Sequence, residues 1–387
     1  MLNVKVIGTG AAGNKAVIEL ISSYGFDPKD TTLINSTDRD IPEAYRKDAI
    51  IFGKTNERHL GGCGKERSIG IRLFVDDLNN GRIDLKSCVD DNTNLVIIAS
   101  STEGGTGSAT APIIAKIIHD MLKIPVVMVL FFGFNTDARG MQNSIEICQE
   151  IENKYGVIGI SNAKFLEEVN NSRSKAEDLA NKEFCEIVKT LTGHGMEPSR
   201  QNIDKTDLFK LVATTGYMCV GSTCIKNAKN SSMINASIKD ALDKSKLVDH
   251  SDKTVKRIGI IFDIPEDMED NIDIGGSEFT KEYGVPYEMY THIQHTDSIP
   301  NIKWIAAGMN LPINAIKDIL SNYKETTAFI SRGNDTFFDT VDEWKSGNIF
   351  CNMDMLDVGS PSSPPRNSYV DPMKEIMSHL EGNYAGV

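Results

Sequence analysis

The chain has 387 residues, 40% of them hydrophobic and 25% charged, a globular composition long enough for two cores. A formal charge of −13 argues against direct contact with a phosphate backbone, so any nucleic acid would have to be reached through an adaptor. The cysteines (Cys63, Cys88, Cys148, Cys185, Cys219, Cys224 and Cys351) are scattered, odd in number and without a C-x-x-C, which indicates neither a disulfide framework nor zinc. With no basic leader and no apolar run long enough for a bilayer, the expectation is a soluble, cytoplasmic protein with no membrane partner.

The first element is "VKVIGTGAAGNKAV", residues 4 to 17, a β-branched run that breaks into glycines and then into a helix pattern. Gly8, Gly10 and Gly13 satisfy G-x-G-x-x-G, in which a helix N-terminus receives an anion. Alone this fits an NAD-dependent oxidoreductase, or an ordinary tight turn. A Walker A loop is a near miss, because Lys15 stands one residue too far along and no Ser or Thr follows it.

Apolar strand runs follow at 31 to 34, 49 to 52, 94 to 100, 126 to 132 and 156 to 160, alternating with helical patterns. Several are too uniformly apolar to have a wet face, which predicts a doubly wound parallel α/β sheet ending near residue 165. Next comes a long helix with Ser174 and Glu177 as a capping box. Its apolar face is Ala180, Phe184, Ile187, Val188 and Leu191, and Gly193 is the stop. Helices near 205 to 218, 233 to 246 and 312 to 322, with strands "KRIGIIFDI", "YTHIQHT" and "NIKWIAAG", predict a smaller α+β domain. From residue 359 a Pro- and Ser-rich linker leads into the amphipathic "DPMKEIMSHL", expected to be a mobile tail.

A second glycine cluster decides between the readings of the first. Gly104, Gly105, Thr106, Gly107 and Ser108 come directly after the fourth strand run and directly before an apolar helix. In an open sheet the ligand lies beyond the carboxyl ends of the strands where the strand order reverses, here between the first strand and the fourth. Two loops at that point can grip one triphosphate from both sides: glycine lets backbone N–H groups approach, and Thr106 and Ser108 add hydroxyls. A dehydrogenase has no use for the second loop.

"GGTGSATAP" resembles the signature of the tubulin/FtsZ superfamily, with Ala109 at its last glycine, and "KVIGTGAAGNKAV" is similar to the first nucleotide loop of FtsZ, with Ala11 and Ala12 replacing two glycines. "INSTD", "HLGGCGKERSIG", "FGFNTDARG", "ISNAKFL" and "NIDKTD" follow in family order, so that the likeness covers most of residues 1 to 325. The resemblance implies a GTP-binding domain over 1 to 170, a central helix and catalytic loop over 171 to 204, an activation domain over 205 to 345 and a tail over 346 to 387. It further implies that GTP with Mg²⁺ is bound, without a dedicated protein metal site, by Gly10, Ala11, Ala12, Asn14, Asp38, Gly104, Gly105, Thr106, Gly107 and Ser108, with Asp137 at the ribose and Asn162 and Asn181 at the base. Asp204 and Asp207 are implied as the acids that the next subunit of a head-to-tail filament brings to the γ-phosphate. Read without the family, the same two acids are an N-cap and a first-turn carboxylate, and Asn181 is a solvent-facing helix residue.

Some positions depart from the family pattern. Met141 replaces an Arg on the sugar side, with Arg139 as a substitute, and Glu103 stands where FtsZ has glycine. An acid beside phosphates must reach the magnesium or turn away. Lys65 and Arg67 are candidates to offset γ-phosphate charge, and Cys63 between glycines is a candidate accessible thiol. His292 and His295 fall on opposite faces of a strand, which argues against a metal pair.

The tail lacks the Pro-, Phe-, Leu- and Arg-rich adaptor peptide of FtsZ and the acidic end of tubulin. Within the superfamily the compact size and divergent loops most resemble the plasmid and phage partition branch TubZ, with phage-positioning PhuZ the nearest rival. That branch implies self-assembly and a separate DNA-binding adaptor on a centromere-like DNA. A scaffold that assembles without hydrolysing remains a third class beside the GTPase and the oxidoreductase.

Overall fold

The computed structural model describes residues 2–54, 61–151, 153–197, 199, 201–225, 230–272 and 276–331. The amino-terminal half runs β1 (Val4–Thr9), α1 (Gly10–Tyr24), β2 (Thr31–Asn35), α2 (Glu43–Arg46), β3 (Ile50–Ile51), α3 (Arg67–Asn79), β4 (Leu95–Ser101), α4 (Gly107–Lys116), β5 (Val126–Phe132), α5 (Ala138–Ile151) and β6 (Gly156–Ser161). The second half continues with α6 (Arg173–Thr192), α7 (Lys205–Val212), β7 (Gly216–Cys224), α8 (Ser231–Asp243), β8 (Arg257–Ile264), α9 (Ser277–Tyr283), β9 (Glu288–His295), β10 (Asn301–Met309) and α10 (Ile313–Ser331).

All ten strands join one sheet in the order β3-β2-β1-β4-β5-β6-β7-β10-β8-β9. From β3 to β7 every pairing is parallel; β10 runs antiparallel to both β7 and β8, and β9 returns parallel to β8. The uniformly apolar runs are the buried central strands, with β5 buried at every residue. The chain order turns back between β1 and β4, as the two-loop argument requires. Helix α1 packs against α6, and α4 against α3 and α5, the arrangement expected when right-handed crossovers leave that point in opposite directions. The chain divides into two compact units, residues 1–320 and 321–387; the sheet belongs to the first, and only residues 321–331 of the second are described.

Helix α6 starts at Arg173 with Ser172 as its N-cap, two residues before the expected Ser174 cap, and no side chain caps it. Glu177, expected in a capping box, instead lies 3.7 Å from Lys15 Nζ. The predicted apolar face and the left-handed Gly193 stop (φ 69°) are both observed. The helix expected over 205 to 218 ends at Val212, and from Gly216 the chain is strand β7. Gly216 has φ 109°, a conformation closed to side chains, and the Tyr217–Val220 run pairs with β10. A short apolar run does not distinguish strand from helix by periodicity, which is why the boundary was misplaced.

Candidate nucleotide site and acid loop

Helices α1 and α4 begin where the turns after β1 and β4 meet. Gly10 (φ 71°) lies so close to the second turn that a Cβ there would stand 2.8 Å from Gly107 N, and one on Gly107 would stand 2.7 Å from Thr9 O. Gly13 lets α1 settle on β4, since a Cβ would fall 2.0 Å from Ala99 O. Thr110 Oγ1 donates to Thr106 O (2.9 Å), which leaves Thr9 Oγ1 to donate to Thr110 Oγ1 (2.6 Å) and ties β1 to α4. Neither helix has an acidic residue in its first turn, so both N-termini present uncompensated positive dipole ends at one place. At Gly104 a Cβ would meet nothing within 4 Å, so the second turn is open on that side.

Of the polar residues expected here, Thr106 Oγ1 is 2.8 Å from Ser36 Oγ, and the Ser108 hydroxyl donates back to Gly104 O. Ser108 is therefore engaged inside its own turn, not aimed outward. Asn14 is fully buried; its Nδ2 donates to Ile34 O (3.1 Å) while its Oδ1 has no partner. Asn162 at the end of β6 keeps an unpartnered buried Oδ1, and Asn35, which opens the "NSTD" turn, an unpartnered Nδ2. Three buried amide atoms without partners are costly unless a ligand satisfies them. Ala11 and Asp38 are exposed, Ala12 and Asn181 half-buried, and Gly105 is buried against the 65–66 backbone.

The loop after β5 borders this place. Asp137 accepts from Gly140 N (2.8 Å) and pairs with Lys65 Nζ at 2.5 Å. Burial works to raise its carboxyl, but the Lys65 ammonium and the Gly140 N–H outweigh burial and hold it below the usual carboxylate range. Glu103 answers the concern about an acid beside phosphates. Its carboxylate occupies the notch left by Gly133, where a Cβ would overlap it at 2.0 Å, and accepts from Asn135 N (2.8 Å). It caps the 133–140 loop.

Two expectations are corrected. Arg67 is 5% exposed and bonds Glu146 (2.8 Å), Glu150 (2.7 Å) and Ser108 O (3.1 Å), so its charge is spent on fastening α3 and α5 to the second glycine turn. Burial opposes that charge, and the two carboxylates keep it protonated. Cys63 is buried, not an accessible thiol. Met141, where the family pattern has Arg, is a core residue. Among the described residues no cluster of three His, Cys, Asp or Glu could hold a metal.

The acid loop lies elsewhere. Asp204 is the N-cap of α7, its Oδ1 accepting from Asp207 N (2.8 Å), so the capping role is real; Asp204 is exposed and Asp207 half-buried. Helix α6 connects the two regions. It starts after β6, at the carboxyl ends of the strands, and finishes with Thr192 O accepting from Leu2 N (3.2 Å), at the amino end of β1. Twenty helical residues span about 30 Å. Asp204 and Asp207 thus sit at the opposite edge of the sheet from the glycine turns.

Residues 3–170 match the Tubulin/FtsZ family, GTPase domain. Over that stretch the chain is similar to the GTPase domain of the Tubulin/FtsZ family. Matched curated relatives include cell division protein FtsZ 2 of Haloferax volcanii, 28% identical over 60% of this chain and 57% of that protein. FtsZ of Mycoplasmopsis pulmonis is 30% identical over 57% and 55%. The chain thus spans under three fifths of the length of these relatives. Solved structures of similar fold include a GTPγS-form protofilament of TubZ from Bacillus thuringiensis serovar israelensis, with a TM-score of 0.72, 17% identity and 86% and 94% of the two chains covered. A GTPγS-bound protofilament of CetZ2 from Haloferax volcanii has a TM-score of 0.67 at 16% identity, over 86% and 99%. The two glycine turns lie within the matched stretch, as does the 133–140 loop. Among the described residues no helix is long and apolar enough to cross a membrane.

Sequence reasoning missed Asn35, Arg67, Asn143 and His292 as organisers. Asn143 Nδ2 bridges Lys65 O (2.8 Å) and Glu103 O (2.9 Å), a role with no local sequence signal. Arg67 offered only its type: a buried arginine needs carboxylates, and those came from α5.

Proposed function

We propose that this chain is a GTPase that assembles head to tail and hydrolyses GTP at the junction between copies. The observation that carries the reading is the separation of the glycine turns from Asp204 and Asp207 by the length of α6. Acids at the far edge serve only the pocket of a second molecule stacked on the first. The contact joins two unlike surfaces, so it is heterologous and propagates as an open filament.

In this reading Gly10, Ala11, Ala12, Gly104, Gly105, Thr106, Gly107 and Ser108 hold the phosphates through their backbone. Asp137 stands by the ribose, its Lys65 partner engaged in that ion pair and not free for the γ-phosphate, and Asn14, Asn162 and Asn181 meet the base. Asp38 lines the turn after β2. The unpartnered Oδ1 atoms of Asn14 and Asn162 are both acceptors and suit a base edge that donates. Mg²⁺, when bound with the nucleotide, would supply charge neutralisation at the phosphates. Asp204 and Asp207 orient and deprotonate the attacking water. Residues 1–170, 171–204, 205–345 and 346–387 divide the labour as nucleotide domain, central helix with acid loop, activation domain and tail.

The physiological role we infer is cytoplasmic segregation of plasmid or phage DNA, with a DNA-binding adaptor on a centromere-like site, because a chain of charge −13 is suited to a filament that does not itself touch DNA. The similarity to TubZ structures supports it. Cell division is the second reading, favoured by the FtsZ sequence relatives. Deleting the gene separates them: loss of a replicon supports segregation, and filamentous cells with the replicon retained support division.

The biochemical core is tested by turnover per subunit against protein concentration. Turnover should rise with assembly, and Asp204→Ala or Asp207→Ala should lower it by about 10²–10³-fold while filaments still pellet with GTP. Equal turnover in dilute monomer, or wild-type rates in both variants, refutes the reading.

A further inference from the structure

The segment that ends in Asp204 is held by three consecutive residues of β9. Ile293 N donates to Gln201 O (3.0 Å). Gln294 Oε1 accepts from Glu197 N (3.0 Å) and its Nε2 donates to Gly195 O (3.0 Å). His292, fully buried, receives Ile203 N–H on Nδ1 at 3.3 Å, one residue before Asp204.

This network assigns its own protons. Glu197 N can only donate, so the Gln294 atom facing it is the carbonyl oxygen; Ile203 N can only donate, so His292 Nδ1 carries the lone pair. The neutral ring then has its proton on Nε2, 3.1 Å from Gln294 Oε1, and donates to it. A proton added at Nδ1 would confront the Ile203 N–H and break the link. Burial disfavours the charged ring and holds its pKa below the ordinary histidine value; the Gln294 hydrogen bond and Asp263 of β8 act the other way without reversing it. Glu197, Glu266, Glu269 and His295 line the adjoining cavity of about 530 Å³ together with Asp263 and Gln294, and Glu269 is already 3.0 Å from His295.

We propose that His292 is the positioning residue of the acid loop: its neutral, Nε2-protonated imidazole splints the chain up to Ile203 onto β9 and sets where Asp204 stands at the pocket of the next copy. The inference rests on the function proposed above. Displacement of a reacting group by about 1 Å can cost 10²-fold in rate, so His292→Leu, which keeps bulk but cannot accept, should lower turnover per pelleted subunit at least tenfold. His292→Gln, whose carbonyl can accept from Ile203, should restore most of it. Wild-type turnover should decline as pH falls below the ordinary histidine range, and that step should be absent in His292→Gln.

Full turnover in His292→Leu with Asp204→Ala and Asp207→Ala inactive overturns this inference alone; full turnover in the two Asp variants overturns the parent reading. Should His292→Leu fail to fold, ¹⁵N spectra of the wild-type imidazole decide. A protonated Nδ1 at neutral pH, or identical pH profiles for wild type and His292→Gln, refutes the splint.

Discussion

Arg67 shows how much of the site depends on a residue that touches no expected ligand. Its guanidinium is the shared partner of Glu146, Glu150 and the Ser108 carbonyl. Arg67→Met removes that partner from two carboxylates and one carbonyl, and should cost about 1–3 kcal/mol, read as a lower urea midpoint at unchanged slope; an unmoved midpoint would show the cluster to be idle. His292 carries a pH term of its own. Its pKa is lowered on folding, so below the unfolded value the unfolded chain binds more protons and stability falls as pH decreases. Denaturation from pH 7.5 down to 5.5 should therefore show a decline that His292→Gln reduces. The Cys148 thiol adds nothing in that range, because burial pushes it up to about 12, against a smaller opposing pull from Arg67.

At the scale of elements, the glycines of the two turns are not interchangeable, and their roles can be separated. Gly13→Ala drives a Cβ to 2.0 Å from Ala99 O, so it should destabilise the fold through α1 and β4 whether or not nucleotide is present. Gly104→Ala meets nothing within 4 Å in the protein; its stability should stay within about 0.5 kcal/mol, while affinity for a fluorescent GTP analogue should drop. Equal losses of stability in the two would remove the claim that Gly104 faces a ligand. Much of this was legible, because β4 and β5 are so apolar that only burial on both faces suits them, and the two glycine clusters follow strands directly. What could not be read were contacts between segments distant in sequence. Glu103 looked like a liability beside phosphate until Gly133 and Gly140 proved to leave a notch for it, and Asp204 and His292 are 88 residues apart yet meet through the Ile203 amide. The boundary of α7 failed for a local reason: Thr214 and Thr215 prolong an apolar pattern that Gly216 ends.

For the whole molecule, charge and polarity set the terms of assembly. Subunits of net charge −13 repel when they stack, and monovalent salt screens that repulsion. The protein concentration needed for pelleting with GTP should therefore fall between 50 and 300 mM salt; a rise would indicate a contact dominated by opposite charges instead. The placement of Asp204 and Asp207 beyond the far end of α6 has a consequence for a finite row of these molecules. On the proposed function each junction would complete one reactive centre, so a row would always have one fewer centre than it has members. The member left over would be at one fixed tip, its pocket facing solvent and its nucleotide spared. The opposite tip would present bare carboxylates and no waiting substrate. Such a row would be born with unequal extremities, one carrying fuel and the other the means to burn it, its direction written into every subunit before any partner arrives.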